Sequence, residues 1–338
     1  MSSKFVLVTG GTGFMGGHIV HQLLAGGQRV RAIVRSGKGD QLKETYAQYG
    51  DKLDTAVVDD FVSGDFTHTF KDVDAVIHAA APMPTHIKSA EDALKTAIDG
   101  TLNIFKQAEK AGIRNFAYTS SVVALNLEDP APITDQSWNP ITKDIALQSK
   151  EPFVIYIAEK TLAEKAVWEF VDKHPHVEMM TVNPPFFYGP YAPSYRNDDA
   201  SKGSLSTNGF IYSLLTPNGT GAPGPYAIDV RDVAKALILG LKAPPTSQVG
   251  RKRIILSSAC ISAKDVVELI ASERPELKGR LSKAAFDAPP APKSALDLSR
   301  AKEVLGLEFR DWKETILAAV DDLIKFEGIW KAKGVTFA

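Results

Sequence analysis

An α/β fold, a doubly wound parallel sheet carrying a smaller C-terminal cap, is predicted by three features of the sequence. Short β-rich runs alternate with amphipathic stretches, a glycine-rich turn follows the first run, and the last part of the chain abandons the alternation. The β-rich runs fall at residues 5–8, 30–34, 56–58, 75–77 and 116–118, with helical spacing at 14–25, 40–49 and 90–112 between them. Such alternation folds as βαβ crossovers, which make the strands parallel and cover both faces of the sheet. A further strand is expected at 177–182, after a helix-forming segment at 154–170.

The turn lies in "FVLVTGGTGFMGGHIV", where Gly10, Gly13 and Gly16 separate the first strand from the first helix. Without side chains there, backbone N–H groups and the helix N-terminus can approach a pyrophosphate, the arrangement of a Rossmann-type dinucleotide site. The spacing is G-x-x-G-x-x-G rather than the commoner G-x-G-x-x-G. A carboxylate ending the second strand would hold the ribose of NAD, but Arg35 stands there with Lys38 close behind. A guanidinium binds the extra phosphate of NADP bidentately, so NADP(H) is the expected cofactor.

Residues 1–183 are therefore expected to form the NADP-binding unit. Residues 184–338 are expected to form mostly a substrate-binding cap, with about 227–258 returning to the core. Residues 184–226 are rich in Pro, Gly, Ser and aromatic side chains and too long for a mere connector. A helix starting at Asp229, a strand at 253–256, a helix from Ala263 and a final amphipathic helix with Trp312, Ile316, Val320 and Leu323 on one side complete the chain. The segment 288–292 reads as a short proline-rich linker.

A chain of 338 residues, 44% hydrophobic and 23% charged, has enough apolar material for a substantial core. A net charge of −1 provides no basic field for nucleic acid and no cationic face for a membrane. Small-molecule partners are the expectation, with the chain a monomer or homodimer. The single cysteine, Cys260, leaves no internal disulfide and fits a reducing interior. With no apolar leader or membrane-length stretch, the expected location is cytoplasmic.

In "VIYIAEKTLAEKAVWEF" Tyr156 and Lys160 are four apart and so share one helix face. A lysine cation beside a phenol favours phenolate, which predicts a lowered Tyr156 pKa and a usable acid or base. With T-G-x-x-G-x-x-G at 9–16, a serine pair after the fifth strand and Y-x-x-x-K on the next long helix, the chain resembles the extended short-chain dehydrogenase/reductase superfamily. "WNP" at 138–140, "KTLAEKAVWEF" at 160–170, "VNPPFFYGP" at 182–190 and "DVRDVAKA" at 229–236 are similar to the fungal and yeast NADPH-dependent aldehyde and ketone reductases, and to plant dihydroflavonol reductases. The likeness covers essentially the whole chain.

That resemblance implies that Tyr156 donates the proton to the carbonyl oxygen and that Lys160 also holds the nicotinamide ribose. A serine from "AYTSSVVAL" would hydrogen-bond the carbonyl; Ser120 and Ser121 compete, and Ser121 fits the family pattern. Cofactor contacts are implied for Gly10, Thr12, Gly13, Phe14 and Met15 at the turn, Arg35 and Lys38 at the phosphate, and Thr119 near the nicotinamide. Asp60 and Phe61 would lie at the adenine, with Asp59 a one-residue alternative, and Ala79 and Ala80 would let the cofactor lie close. Pro184, Phe187 and Thr207 would be near the nicotinamide. His78 reads as a packed strand-end histidine. The family often has a small residue or serine before the lysine; here it is Glu159, about 100° round the helix from Lys160 and expected to face outward. "KTAIDGTLN" lacks an asparagine at the place where many short-chain enzymes carry one for a proton relay.

Candidate substrate contacts are Met83, Val123, Phe153, Tyr188 and Tyr226, an apolar and aromatic set suited to an aryl or alkyl carbonyl. No metal-ligand spacing and no G-x-S-x-G elbow is present. The leading expectation is an NADPH-dependent carbonyl reductase; a nucleotide-sugar epimerase or dehydratase and a non-catalytic redox sensor are the alternatives.

Overall fold

Val6 pairs with Val30 on one side and with Ala75 on the other, all three running the same way, so the first strand of the chain is interior to a parallel sheet. The computed structural model describes residues 4–80, 89–128, 131–195, 202–221, 223–291 and 296–335. The first six strands are β1 (Phe5–Thr9), β2 (Arg29–Val34), β3 (Leu53–Val57), β4 (Ala75–His78), β5 (Asn115–Thr119) and β6 (Glu178–Asn183). They are followed by β7 (Phe186–Tyr188), β8 (Tyr226–Asp229), β9 (Lys252–Ile255) and β10 (Ala259–Cys260). Seven form one sheet in the order β3-β2-β1-β4-β5-β6-β9, and every pairing in it is parallel. Because the order reverses between β1 and β4, the crevice beyond their C-terminal ends is where a ligand is received.

Successive side chains of β1 serve opposite layers. Val6 and Val8 join the core containing Ile19 and Leu23 of α1 (Phe14–Ala25), whereas Leu7 joins Phe105 and Phe116 on the other face. The helix expected at 40–49 is shorter: α2 (Gly39–Thr45) yields to 3₁₀ turns, and Gly50 has a positive φ of 56° that no helix continues through. Strand β3 starts earlier than expected, since Leu53 is paired with Val30 and Asp54 is tied to Arg31 across the register. The helix α3 (Ala90–Lys110) is capped by Ser89, whose hydroxyl accepts from the Asp92 N–H at 3.1 Å. After a short α4 (Lys143–Gln148), α5 (Pro152–Lys173) starts with proline, whose fixed φ and missing N–H suit a first turn.

The C-terminal part contributes to both layers. Helix α6 (Asn208–Leu214) precedes α7 (Val230–Gly240), which Asp229 caps through the Arg231 N–H at 2.7 Å. Helix α7 packs on α1, and after a short α8 (Thr246–Val249) strand β9 closes the edge of the main sheet beside β6. A small second sheet joins β7 parallel to β8 and β10 antiparallel to β8. Helices α9 (Ala263–Glu273), α10 (Lys283–Phe286) and α11 (Ser299–Leu305) lead to α12 (Trp312–Ala332), which buries Ile316, Val320 and Leu323 against the cap. No helix among the described residues is long and apolar enough to cross a membrane.

Candidate active site

The turn after β1 is drawn in tightly. Gly13 donates its N–H to the Gly10 carbonyl at 2.9 Å, and a Cβ at Gly16 would lie 1.8 Å from that same oxygen. Gly10 has a positive φ of 72°, and a Cβ there would lie 3.0 Å from the Ala80 backbone, so Ala79 and Ala80 do lie against the turn. No side chain caps α1 and no acidic residue occupies its first turn. The leading N–H groups, Phe14 and Met15 among them, therefore retain their preference for an anion, with Thr12 and Gly13 exposed before them. This cradle fits a dinucleotide.

Below it, the Thr9 hydroxyl accepts the N–H groups of Ala79 and Ala80, each at 3.1 Å, and its one proton is left for His78 Nδ1 at 2.8 Å. His78 thus carries its proton on Nε2, 3.3 Å from the Thr101 hydroxyl. Burial, with a smaller push from the Lys160 charge, lowers its pKa to about 3. It is a neutral brace under the turn, as its sequence context indicated.

Beyond β2, Arg35, Ser36 and Lys38 are exposed, and Ser36 donates both its N–H and its hydroxyl to Asp59, at 2.8 and 2.5 Å. Asp60 is committed elsewhere. Its carboxylate accepts the N–H groups of Val62 and Ser63 in its own turn, at 2.8 and 3.3 Å, so Asp59 and not Asp60 faces the Arg35 loop. Phe61 packs edge-on against Phe66 with centroids 5.3 Å apart.

The structure separates the two serines. Ser120 donates to the buried Glu164 carboxylate at 2.7 Å, in a cluster completed by Thr181, Asn183, Trp168 and Arg253. Ser121 instead adjoins Tyr156, whose phenol pKa its hydroxyl lowers, and caps the turn at Val123. Lys160 Nζ points to the Thr119 carbonyl at 3.4 Å, and burial lowers its pKa to about 8 although Glu159 and Glu164 raise it. Thr119 Oγ1 is buried without a partner.

Two expectations are overturned here. The Tyr156 pKa is raised, not lowered: burial dominates, the neighbouring Ser121 hydroxyl opposes it, and Glu159 adds to the rise, while the lysine reaches toward the strand end. Glu159 does not face outward but is 3% exposed, with Oε1 lacking a partner and its pKa raised by burial. The reason is that α5 is enclosed on most sides: Ala158, Thr161, Ala163, Glu164, Val167 and Trp168 are buried as well, so a turn of about 100° stays inside.

On the substrate side, Phe153 is 58% exposed with its ring stacked on Tyr156 at 6.3 Å, and Val123 is half-buried beside Ser121. Tyr188, expected as a contact, is core: it is fully buried and its hydroxyl accepts the Gly224 N–H at 3.2 Å. Tyr226 is half-buried on β8, opposite Cys260. The Thr207 hydroxyl is occupied by the Phe187 carbonyl, Phe187 lies 5.9 Å from Phe14, and the Pro184 carbonyl accepts the Val122 N–H at 3.0 Å. Met83 lies outside the described residues. Among the described residues no cluster of His, Cys, Asp and Glu could hold a metal ion. The sequence reading missed Glu164 and Arg253; the signal was a carboxylate four after Lys160 on a helix, and an arginine inside a strand of aliphatic residues.

The model of the NAD dependent epimerase/dehydratase family matches residues 6–255. The chain is 33% identical over 344 residues to the putative NADPH-dependent methylglyoxal reductase GRP2 of Candida albicans, covering 96% of this chain and 99% of that protein. It is equally 33% identical over 348 residues to the NADPH-dependent methylglyoxal reductase GRE2 of Saccharomyces cerevisiae, covering 96% and 99%. The crystal structure of yeast methylglyoxal/isovaleraldehyde reductase Gre2 complexed with NADPH superposes with a TM-score of 0.81 at 29% identity, over 96% of this chain and 99% of that one. A glycine turn below a reversal in strand order and a Ser-Tyr-Lys set beside it, matched along nearly the full length of these reductases, identify the chain as a member of the NAD dependent epimerase/dehydratase family, the extended short-chain dehydrogenase/reductases.

Proposed function

We propose that the chain is an NADPH-dependent carbonyl reductase that converts aldehydes or ketones to alcohols. The observation that carries this reading is that Ser121, just beyond the C-terminal end of β5, acts on the Tyr156 phenol of α5, while Lys160, one turn further along that helix, reaches the Thr119 carbonyl at the same strand end. The names of the GRP2 and GRE2 relatives support it. The turn at Gly10, Gly13 and the first N–H groups of α1 would hold the pyrophosphate, Arg35 and Lys38 the 2′-phosphate, and Lys160 the nicotinamide ribose. When bound, NADPH supplies hydride to the carbonyl carbon.

The protein's own residues do the rest. Ser121 and Tyr156 converge on one point, where a carbonyl oxygen would accept from both hydroxyls, and Tyr156 gives up its proton as charge develops there. Burial favours the neutral phenol, so Tyr156 remains a protonated donor at neutral pH. Phe153 and Val123 offer an apolar wall to the substituents of the carbonyl, and residues 184–338 supply most of the remaining substrate surface. The net charge of −1 supports a small-molecule partner over nucleic acid, and the single cysteine supports a cytoplasmic setting.

Tyr156→Phe removes the proton donor while leaving the ring stacked on Phe153. It is expected to bind NADPH normally by fluorescence titration and to lose about a hundredfold or more in reduction of an aryl ketone or aldehyde. Near-normal turnover would remove the tyrosine from the mechanism.

A further inference from the structure

The ends of β2 and β3 build a seat for an oxyanion, and one of the chain's own carboxylates sits in it. Val34 pairs with Val57, and the Val58 N–H reaches the Val34 carbonyl at 3.2 Å, which brings Ser36 opposite Asp59. Ser36 then aims an amide N–H and a hydroxyl at the two oxygens of that carboxylate, at 2.8 and 2.5 Å. The charge of Arg35 acts on it too, and Lys38 is three residues further along the same exposed loop. An amide and a hydroxyl converging on adjacent oxygens, with cations alongside, is also how phosphate oxygens are held.

We propose that Asp59 determines the cofactor selectivity of this enzyme: it occupies the seat of the adenosine 2′-phosphate, so NADPH has to displace it, whereas NADH can leave it in place as an acceptor for the ribose hydroxyl. The proposal rests on the NADP(H) reading given above. It makes the loop of Arg35 and Lys38 a site of mixed sign, in which the cations favour the phosphate and Asp59 opposes it. A carboxylate and a phosphate dianion cannot share one pair of donors without strong repulsion, and all the groups concerned are exposed, so the carboxylate is free to swing out.

The test is binding, measured on the purified chain by calorimetry or fluorescence at fixed ionic strength, with NADPH, NADH and 2′,5′-ADP as probes. Asp59→Asn keeps an acceptor for Ser36 and removes the charge. It is expected to tighten NADPH and 2′,5′-ADP about tenfold and to leave NADH unchanged or a few-fold weaker. Weaker NADPH, no change with any probe, or equal changes for both nucleotides would make Asp59 a loop brace and overturn the proposal. Arg35→Ala, run alongside, separates the two readings. If it weakens NADPH and NADH equally, the phosphate does not bind at this loop and the placement of the phosphate site fails, independently of what Asp59 does.

Discussion

Glu159 shows how one residue can bear on catalysis without facing the substrate. It is three positions after Tyr156, its carboxyl is buried with Oε1 unpartnered, and as an anion it pushes up the pKa of both Tyr156 and Lys160. Its own pKa is raised, so folding favours the protonated acid: the stability it contributes is complete below the ordinary carboxylate range and is lost as pH rises through the folded value. Glu159→Gln is therefore expected to raise Tm at pH 7 by about 2–4 °C, with no gain at pH 4. With the negative charge gone, Tyr156 and Lys160 both titrate lower, and the alkaline limb of the pH–rate profile should move to lower pH. An unmoved limb would mean that Glu159 stays protonated throughout the working range. The serines carry a related lesson. Ser120 and Ser121 are neighbours in sequence, where the family pattern favours Ser121, and in the structure Glu164 takes Ser120.

At the scale of elements, α5 is fastened to the sheet by a buried charge cluster rather than by apolar contact alone. Glu164 of α5 receives hydrogen bonds from Ser120, from Thr181 and Asn183 of β6, and from Arg253 of β9, whose Nε lies 2.8 Å away. Arg253 is 1% exposed, also donates to the carbonyls of Asp135 and Ser137, and stacks over Trp138 at 3.7 Å. The helix bearing Tyr156 and Lys160 thereby shares one anchor with the strand that follows Ser121 and with the sheet edge. Arg253→Met leaves the buried Glu164 carboxyl without its cation, and urea unfolding should show a loss of about 3–5 kcal/mol. Adding Glu164→Gln should recover part of that loss, because the stranded charge is then gone. A fully additive double variant would mean that the two side chains do not act as a pair.

Across the whole molecule, the nucleotide turn and the cap are joined by a line of rings. Phe14, in the first turn of α1, lies 4.9 Å from Tyr191, Tyr191 is 4.9 Å from Phe326, and Phe326 stacks on Trp330 at 6.3 Å. Trp330 is 1% exposed and also meets the Tyr212 edge, so α12 is packed onto α6 and, through the rings, onto the turn. Trp330→Ala opens a large cavity at the far end of this line and is expected to lower the unfolding free energy by about 3–5 kcal/mol, read from the shift in denaturant midpoint. A change under about 1 kcal/mol would mean that the cap closes around the gap.

Local pattern was enough to identify the parallel sheet, the glycine turn, the capped start of α7 and the Tyr156–Lys160 face. Each of these depends on side-chain period or backbone freedom within a few residues of one another. Only tertiary structure could decide that Ser120 is held by Glu164, that Glu159 is inside, that the Tyr156 phenol is pushed up rather than down, and that Asp59 rather than Asp60 faces the Arg35 loop. Those outcomes are set by how many elements close around a helix and by which groups from distant strands arrive beside a charge. Desolvation and hydrogen bonding of that kind depend on neighbours tens of residues away, and no spacing along the chain encodes them.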